Sequence, residues 1–312
     1  MAIDGDSLSD EVTLASGLRL VYRLEGPADA PLVLLIMGLG CQLSFWPDEF
    51  IQSLHQAGYR TLRFDNRDSG LSSQCPAGNW PGIWKTWLRA RLPLFRPPPT
   101  PYTLMDMAGD AAALLEVLHP GPVHVLGVSM GGMIAQLLVA HWPDRSKSLV
   151  SIMSSSQRRG LPGPTLRVQR AMLQPPPRDR EGIIRYSMTA LRAIGSPGYP
   201  PTDAQLRALV TRNVDRAFRP AGTRRQLLAI LSSGDRVAAL KCIRVPSLVI
   251  HGVDDPLIPV AAGKDTARWI PGARLVLIPG MGHDLSPALM PVLLAPIYEH
   301  LAGLEPSVRG SG

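Results

Sequence analysis

Short apolar runs recur along the chain with amphipathic stretches between them. Residues 31–38 (PLVLLIMG) and 60–66 (RTLRFDN) read as strands, and 47–58 (PDEFIQSLHQAG) as a helix with one apolar face. Thr103 is placed as the N-cap of a helix running through TLMDMAGDAAALLEVL, followed by the strand PVHVLGVS and a helix from Met130 to about Trp142, which Pro143 closes. Further strands are read at 147–155, 245–253 and 273–280, with helices at 261–270 and about 287–303. Strands with few polar residues, alternating with helices, predict an α/β fold: a mostly parallel sheet with helices on both faces.

The alternation breaks between about 157 and 236, a stretch rich in arginine and proline with helical fragments such as DAQLRALVTRNV. It reads as a helical cap inserted over the carboxyl edge of the sheet. The core is then a single domain built from 1–156 and 237–303, and 304–312 is a frayed tail. The proline-dense pieces at 96–101 and 175–177 are stiff connectors. Residues 79–95 set Trp80, Trp84, Trp87, Leu88 and Leu92 at helical spacing. That pattern fits a small amphipathic helix packed on the body, an aromatic wall of an apolar pocket, or both.

Composition narrows the class. The 312 residues are 45% hydrophobic and 18% charged, an ordinary globular balance. A net charge of +7 favours acidic surfaces, yet no block of like charge reads as a nucleic-acid arm, and nucleic-acid binding is not expected. The charge is concentrated: 158–236 carries fifteen arginines against Asp179, Glu181, Asp203, Asp215 and Asp235. This is read as a solvated basic face, the sharper alternative being that some arginines meet an anionic ester. Cys41, Cys75 and Cys242 lie far apart and imply neither a disulfide framework nor a zinc site. The acidic N-terminus lacks the pattern of a secretory signal, and no apolar run is long enough to cross a bilayer. A soluble, cytoplasmic protein is expected.

The chemistry centres on GVSMG at 127–131, placed where a buried strand ends and a helix begins. A sharp strand-to-helix corner thrusts the hydroxyl of Ser129 out of the sheet, and Gly127 and Gly131 remove side chains that would clash there. A neutral serine needs a base and a carboxylate to orient that base. His283, in the IPGMGHDLS loop, is the favoured base over His251, which lies within a strand; His55, His124 and His300 are assigned bland helix or strand positions. HGVDDP offers two acids just beyond a strand end. Asp255 is favoured because Pro256 biases it toward an extended conformation, leaving Asp254 as a solvated neighbour. The order Ser, Asp, His is that of the α/β hydrolases. Acyl attack also needs two oxyanion donors, assigned to the backbone amides of Met130 and of Leu39 in the glycine-bearing loop after the first core strand. Met37, Met133, Trp84 and Trp87 are the candidate pocket residues.

MGLG, FWPDEF, RFDNRDSGLSS, GVSMGGMIAQ, HGVDDPLIP and PGMGHDL together resemble the α/β-hydrolase superfamily, and within it bacterial esterases of the aclacinomycin methylesterase type. The resemblance spans about 12–303 and is weakest in the cap. It implies Ser129 as nucleophile, Asp255 as the acid preceding the proline, and His283 as the base. Where the wider superfamily has His-Gly before the oxyanion loop, this chain has Met37-Gly38; a backbone donor survives that change. Asp65 and Arg67 are read as structural partners that fix a loop. The expected activity is hydrolysis of a carboxylic ester, such as a methyl or small alkyl ester of an apolar acid, without metal or organic cofactor. The alternatives are carbon–carbon hydrolysis of a diketone by the same triad and non-catalytic binding of a small ligand.

Overall fold

The computed structural model describes residues 9–76, 78–83, 85–86, 100–172 and 177–305. Among the described residues, eight strands form one sheet in the order β1-β2-β4-β3-β5-β6-β7-β8. They are β1 (Asp10–Thr13), β2 (Arg19–Glu25), β3 (Leu32–Ile36), β4 (Arg60–Phe64), β5 (Val123–Val128), β6 (Ser146–Ile152), β7 (Ser247–Gly252) and β8 (Arg274–Ile278). β3 to β8 run parallel, while β1 and β2 are antiparallel to their neighbours. β3, β5 and β7 are buried at every position, as parallel strands covered on both faces must be.

Alternate residues of these strands feed two cores. Leu34, Ile36, Val125, Leu149 and Val249 pack on one face with α2 (Leu104–Leu118) and α3 (Met130–His141). Val33, Leu35, Leu126, Val150, Ile152, Leu248 and Ile250 pack on the other with α1 (Asp48–Gln56) and α10 (Met290–Ala302). Thr103 caps α2 as expected. Its hydroxyl accepts from the Asp106 amide at 3.2 Å, while the Asp106 carboxylate accepts from the Thr103 amide at 2.7 Å.

Among the described residues, five helices lie between β6 and β7: α4 (Leu166–Met172), α5 (Arg180–Ile194), α6 (Asp203–Arg216), α7 (Pro220–Ser232) and α8 (Val237–Cys242). α5 and α6 share a small apolar cluster of Ile184, Met188, Leu206 and Val210. The two ends of the stretch from Gln157 to Asp235 meet where the Arg236 amide donates to the Ser156 carbonyl at 2.9 Å. The Arg236 guanidinium is buried there and donates to Gln136, Gln157 and the Ser155 carbonyl at 3.2, 3.1 and 2.6 Å. Burial pulls its pKa down to about 9. α9 (Ala261–Trp269) joins β7 to β8.

Many arginines between β6 and β7 are not a free basic face. Arg180 grips Asp215 with two bonds of 2.6 and 2.7 Å, and Arg207 grips Glu181 at 3.0 and 2.8 Å, tying α5 to α6. Two more reach the core: Arg216 donates to Asp65 at 2.7 Å, and Arg225 to both oxygens of Asp68 at 2.7 and 2.6 Å.

Candidate functional site

Four loops converge at the carboxyl ends of the parallel strands, the edge where open α/β sheets bind ligands. Ser129 follows β5, the loop 37–41 follows β3, Asp255 follows β7 and His283 follows β8. Ser129 has φ 56° and ψ −119°, a conformation costing a non-glycine residue about 1–3 kcal/mol. Hydrogen bonds to neighbouring segments hold it. Its amide donates to the Ile152 carbonyl at 2.9 Å, and its carbonyl accepts from the Ser154 hydroxyl at 2.8 Å. The flanking glycines are required by close approach: a Cβ on Gly127 would stand 2.2 Å from the Gly131 carbonyl oxygen, and one on Gly131 would stand 2.0 Å from that of Ile36.

The hydroxyl of Ser129 lies 2.9 Å from Nε2 of His283, whose Nδ1 lies 2.7 Å from Oδ2 of Asp255. Oδ1 of Asp255 accepts from the amides of Leu257 and Ile258 at 2.9 and 2.8 Å. The acid is therefore fixed from one side by backbone and offers its other oxygen to the imidazole. Asp255 and His283 are both buried. The competing acid, Asp254, is exposed, and its Oδ2 accepts from the Gly280 amide at 2.7 Å, bracing the start of the histidine loop. His251 is fully buried beneath the site; its Nε2 lies 2.7 Å from the Ile258 carbonyl and 3.5 Å from Asp255 Oδ2. Burial lowers its pKa against the opposing pull of the Ile258 carbonyl and Asp255.

The loop after β3 closes over the serine. A Cβ on Gly38 would sit 3.2 Å from Ser129 Cβ and 3.7 Å from its Oγ, so the loop passes close against the serine. The Cys41 amide donates to the Gly38 carbonyl at 3.2 Å, making a tight turn with Leu39 and Gly40 at its centre. The Gly40 amide donates to Gln226 of α7 at 2.8 Å, and Gln226 donates to the Arg67 carbonyl at 2.8 Å. Met130 opens α3, and an amide in the first helical turn has no partner within the helix. Of the pocket candidates, Met37 packs among the apolar residues of one core and Met133 among those of the other. Trp84 and Trp87 lie outside the described residues.

Asp65 accepts from the amides of Leu43 and Leu71 at 2.7 and 2.9 Å and from Arg216. Burial raises its pKa against the pull of that arginine. Arg67 grips Asp110 of α2. Both positions hold the 65–72 turn, and sequence reasoning missed the third member, Asp68. It binds Arg225, the Tyr102 hydroxyl at 2.7 Å and the Cys75 amide at 2.8 Å. Gln226 and Ser196 were likewise missed. Their partners lie tens to hundreds of residues away, and no local pattern marks them.

The sequence model of the α/β hydrolase fold matches residues 31–287. The chain belongs to the α/β hydrolase family. Rhodomycin D methylesterase DnrP of Streptomyces peucetius is 31% identical, over 94% of this chain and 96% of the relative. Rhodomycin D methylesterase DauP of Streptomyces sp. (strain C5) is 30% identical, over 93% and 95%. Among solved structures, a hydrolase from Pseudomonas aeruginosa PA01 superposes with a TM-score of 0.67 at 25% identity, over 97% of this chain and 99% of that one. Among the described residues, no helix is long and apolar enough to cross a membrane.

Proposed function

We propose that the protein hydrolyses a carboxylic ester through an acyl-enzyme on Ser129. His283 takes the hydroxyl proton as Oγ attacks the carbonyl carbon, and Asp255 holds the imidazole and stabilises its charged form. The carbonyl oxygen becomes an oxyanion, and the amides of Leu39 and Met130 receive it; a donor of this kind supplies roughly 3 kcal/mol in the transition state. His283 then gives its proton to the leaving alkoxide, and the alcohol departs. Water enters, His283 takes its proton, and the second attack releases the acid and restores the serine.

The observation that carries this reading is the unbroken chain from Ser129 through His283 to Asp255, at 2.9 and 2.7 Å, built on a strained corner. Likeness over nearly the full chain to two methylesterases supports a methyl or small alkyl ester of an apolar acid as substrate. The helices between 157 and 236 would cover that substrate from above. A fluorophosphonate is expected to label Ser129 in the wild type and to leave Ser129→Ala unlabelled, with ester turnover in that variant lower by about 10⁴-fold or more. A panel of esters varied separately in acyl and alcohol size, with a diketone included, defines the substrate. Normal turnover by folded Ser129→Ala would refute the proposal.

A further inference from the structure

The histidine loop does not stand alone. Residues 194–199, from the end of α5 into its connection to α6, lie along residues 280–286 and are joined to them repeatedly. The His283 amide donates to the Ile194 carbonyl at 2.7 Å and the Gly198 amide to the Gly280 carbonyl at 2.9 Å. The Ser286 hydroxyl donates to the Tyr199 carbonyl at 2.7 Å. At the centre is Ser196, only 2% exposed. Its hydroxyl accepts from the Gly282 amide at 2.9 Å and donates to the Asp284 carboxylate, and its own amide donates to the same carboxylate oxygen at 3.1 Å. One hydroxyl thus spans His283, holding the residue before it and the residue after it. The packing leaves little slack, since a Cβ on Gly282 would stand 2.4 Å from the Gly195 carbonyl oxygen.

We infer that Ser196 is a positioning residue for His283, fixing the loop so that the imidazole meets Ser129 and Asp255 together. The inference rests on the hydrolase reading above. Both ring nitrogens are engaged at hydrogen-bond distance, so a backbone displacement that lengthens one contact strains the other. Misplacement by about 1 Å at a reacting group can lower the rate about 100-fold. The carboxylate of Asp284, whose pKa burial raises and the Ser196 bonds oppose, serves as the anchor for that hydroxyl.

The test compares Ser196→Ala, Asp284→Ala and Asp284→Asn on an ester substrate, with the NMR signal of the proton between His283 and Asp255 as a second readout. Ser196→Ala and Asp284→Ala are expected to lose about 10- to 100-fold in kcat with KM nearly unchanged, and the bridging proton signal to broaden. Asp284→Asn keeps an oxygen acceptor and is expected to recover most of the activity and the sharp signal. Wild-type kcat and an unchanged signal in folded Ser196→Ala would overturn the inference, as would an Asp284→Asn as slow as Asp284→Ala. The NMR signal reads the placement of His283 whether or not ester is turned over. An unlabelled wild-type Ser129 therefore marks failure of the hydrolase reading, and an unmoved signal in Ser196→Ala marks failure of this one.

Discussion

Replacing Asp255 by asparagine tests the site with little change of shape. Oδ1 of Asp255 accepts from two backbone amides at 2.9 and 2.8 Å. An asparagine that put its NH₂ on that side would face two donors with a donor, so its oxygen must stay there. The NH₂ then occupies the place of Oδ2, 2.7 Å from His283 Nδ1. A donor in that place requires an unprotonated Nδ1, which moves the ring proton to Nε2. Nε2 faces the Ser129 hydroxyl at 2.9 Å and can no longer take its proton. The wrong tautomer in this kind of triad lowers kcat about 10⁴-fold, or about 5.4 kcal/mol of transition-state stabilisation. Steady-state ester hydrolysis measures the loss, and a thermal melt checks that the fold is kept. Activity within tenfold of wild type in a well-folded Asp255→Asn would refute the assignment of Asp255 as the residue that orients the base.

Other outcomes follow from the same contacts. Arg225→Met leaves Asp68 buried without its cation and should destabilise the protein by about 3–5 kcal/mol in denaturant unfolding. Gly131→Ala forces a methyl against the Ile36 carbonyl and should cost about 1–3 kcal/mol or more, whereas Gly163→Ala, with nothing within 4 Å, should be close to neutral in the same melts. His300 has its pKa pulled down to about 4, first by burial and then by nearby His124 and Arg274. The unfolded chain takes up that proton near pH 6.5 and the folded one only near pH 4, so this residue's contribution to stability falls as pH drops through that window. The Tm of His300→Gln should accordingly decline less than that of the wild type between pH 6.5 and 4; equal declines would refute the reading.

The parts of the molecule that sequence made legible are those specified by neighbours along the chain. Apolar runs at β3, β5, β6 and β7 announce strands buried on both faces, and glycines two residues to either side of Ser129 announce a corner that tolerates no side chains. Thr103 and Asp106 mark a helix start because capping spans three residues. β1 and β2 escaped notice because they form an edge hairpin: β1 is short and largely exposed, and β2 only half-buried beyond Val21, so neither presents an apolar run. His300 shows a related limit. Periodicity places it near the end of a helix, but its Nε2 is buried. The arginines between β6 and β7 were legible as charge and illegible as contacts. Arg225 finds Asp68 157 positions away, and Arg216 finds Asp65 at a separation of 151. Ser196 is the extreme case, a common residue whose role depends wholly on a loop 86 positions later.

The meeting of Ser156 and Arg236 bears on how such a protein can diverge. A segment whose two ends are hydrogen-bonded neighbours can be exchanged for a longer or shorter one at little entropic penalty, because the ends are already together and the penalty grows only slowly with length. Selection could therefore recast the helices between 157 and 236 while the sheet and the hydrogen-bonded chain from Ser129 through His283 to Asp255 stay as they are. The exception is the stretch that grips the histidine loop, which any replacement would have to rebuild.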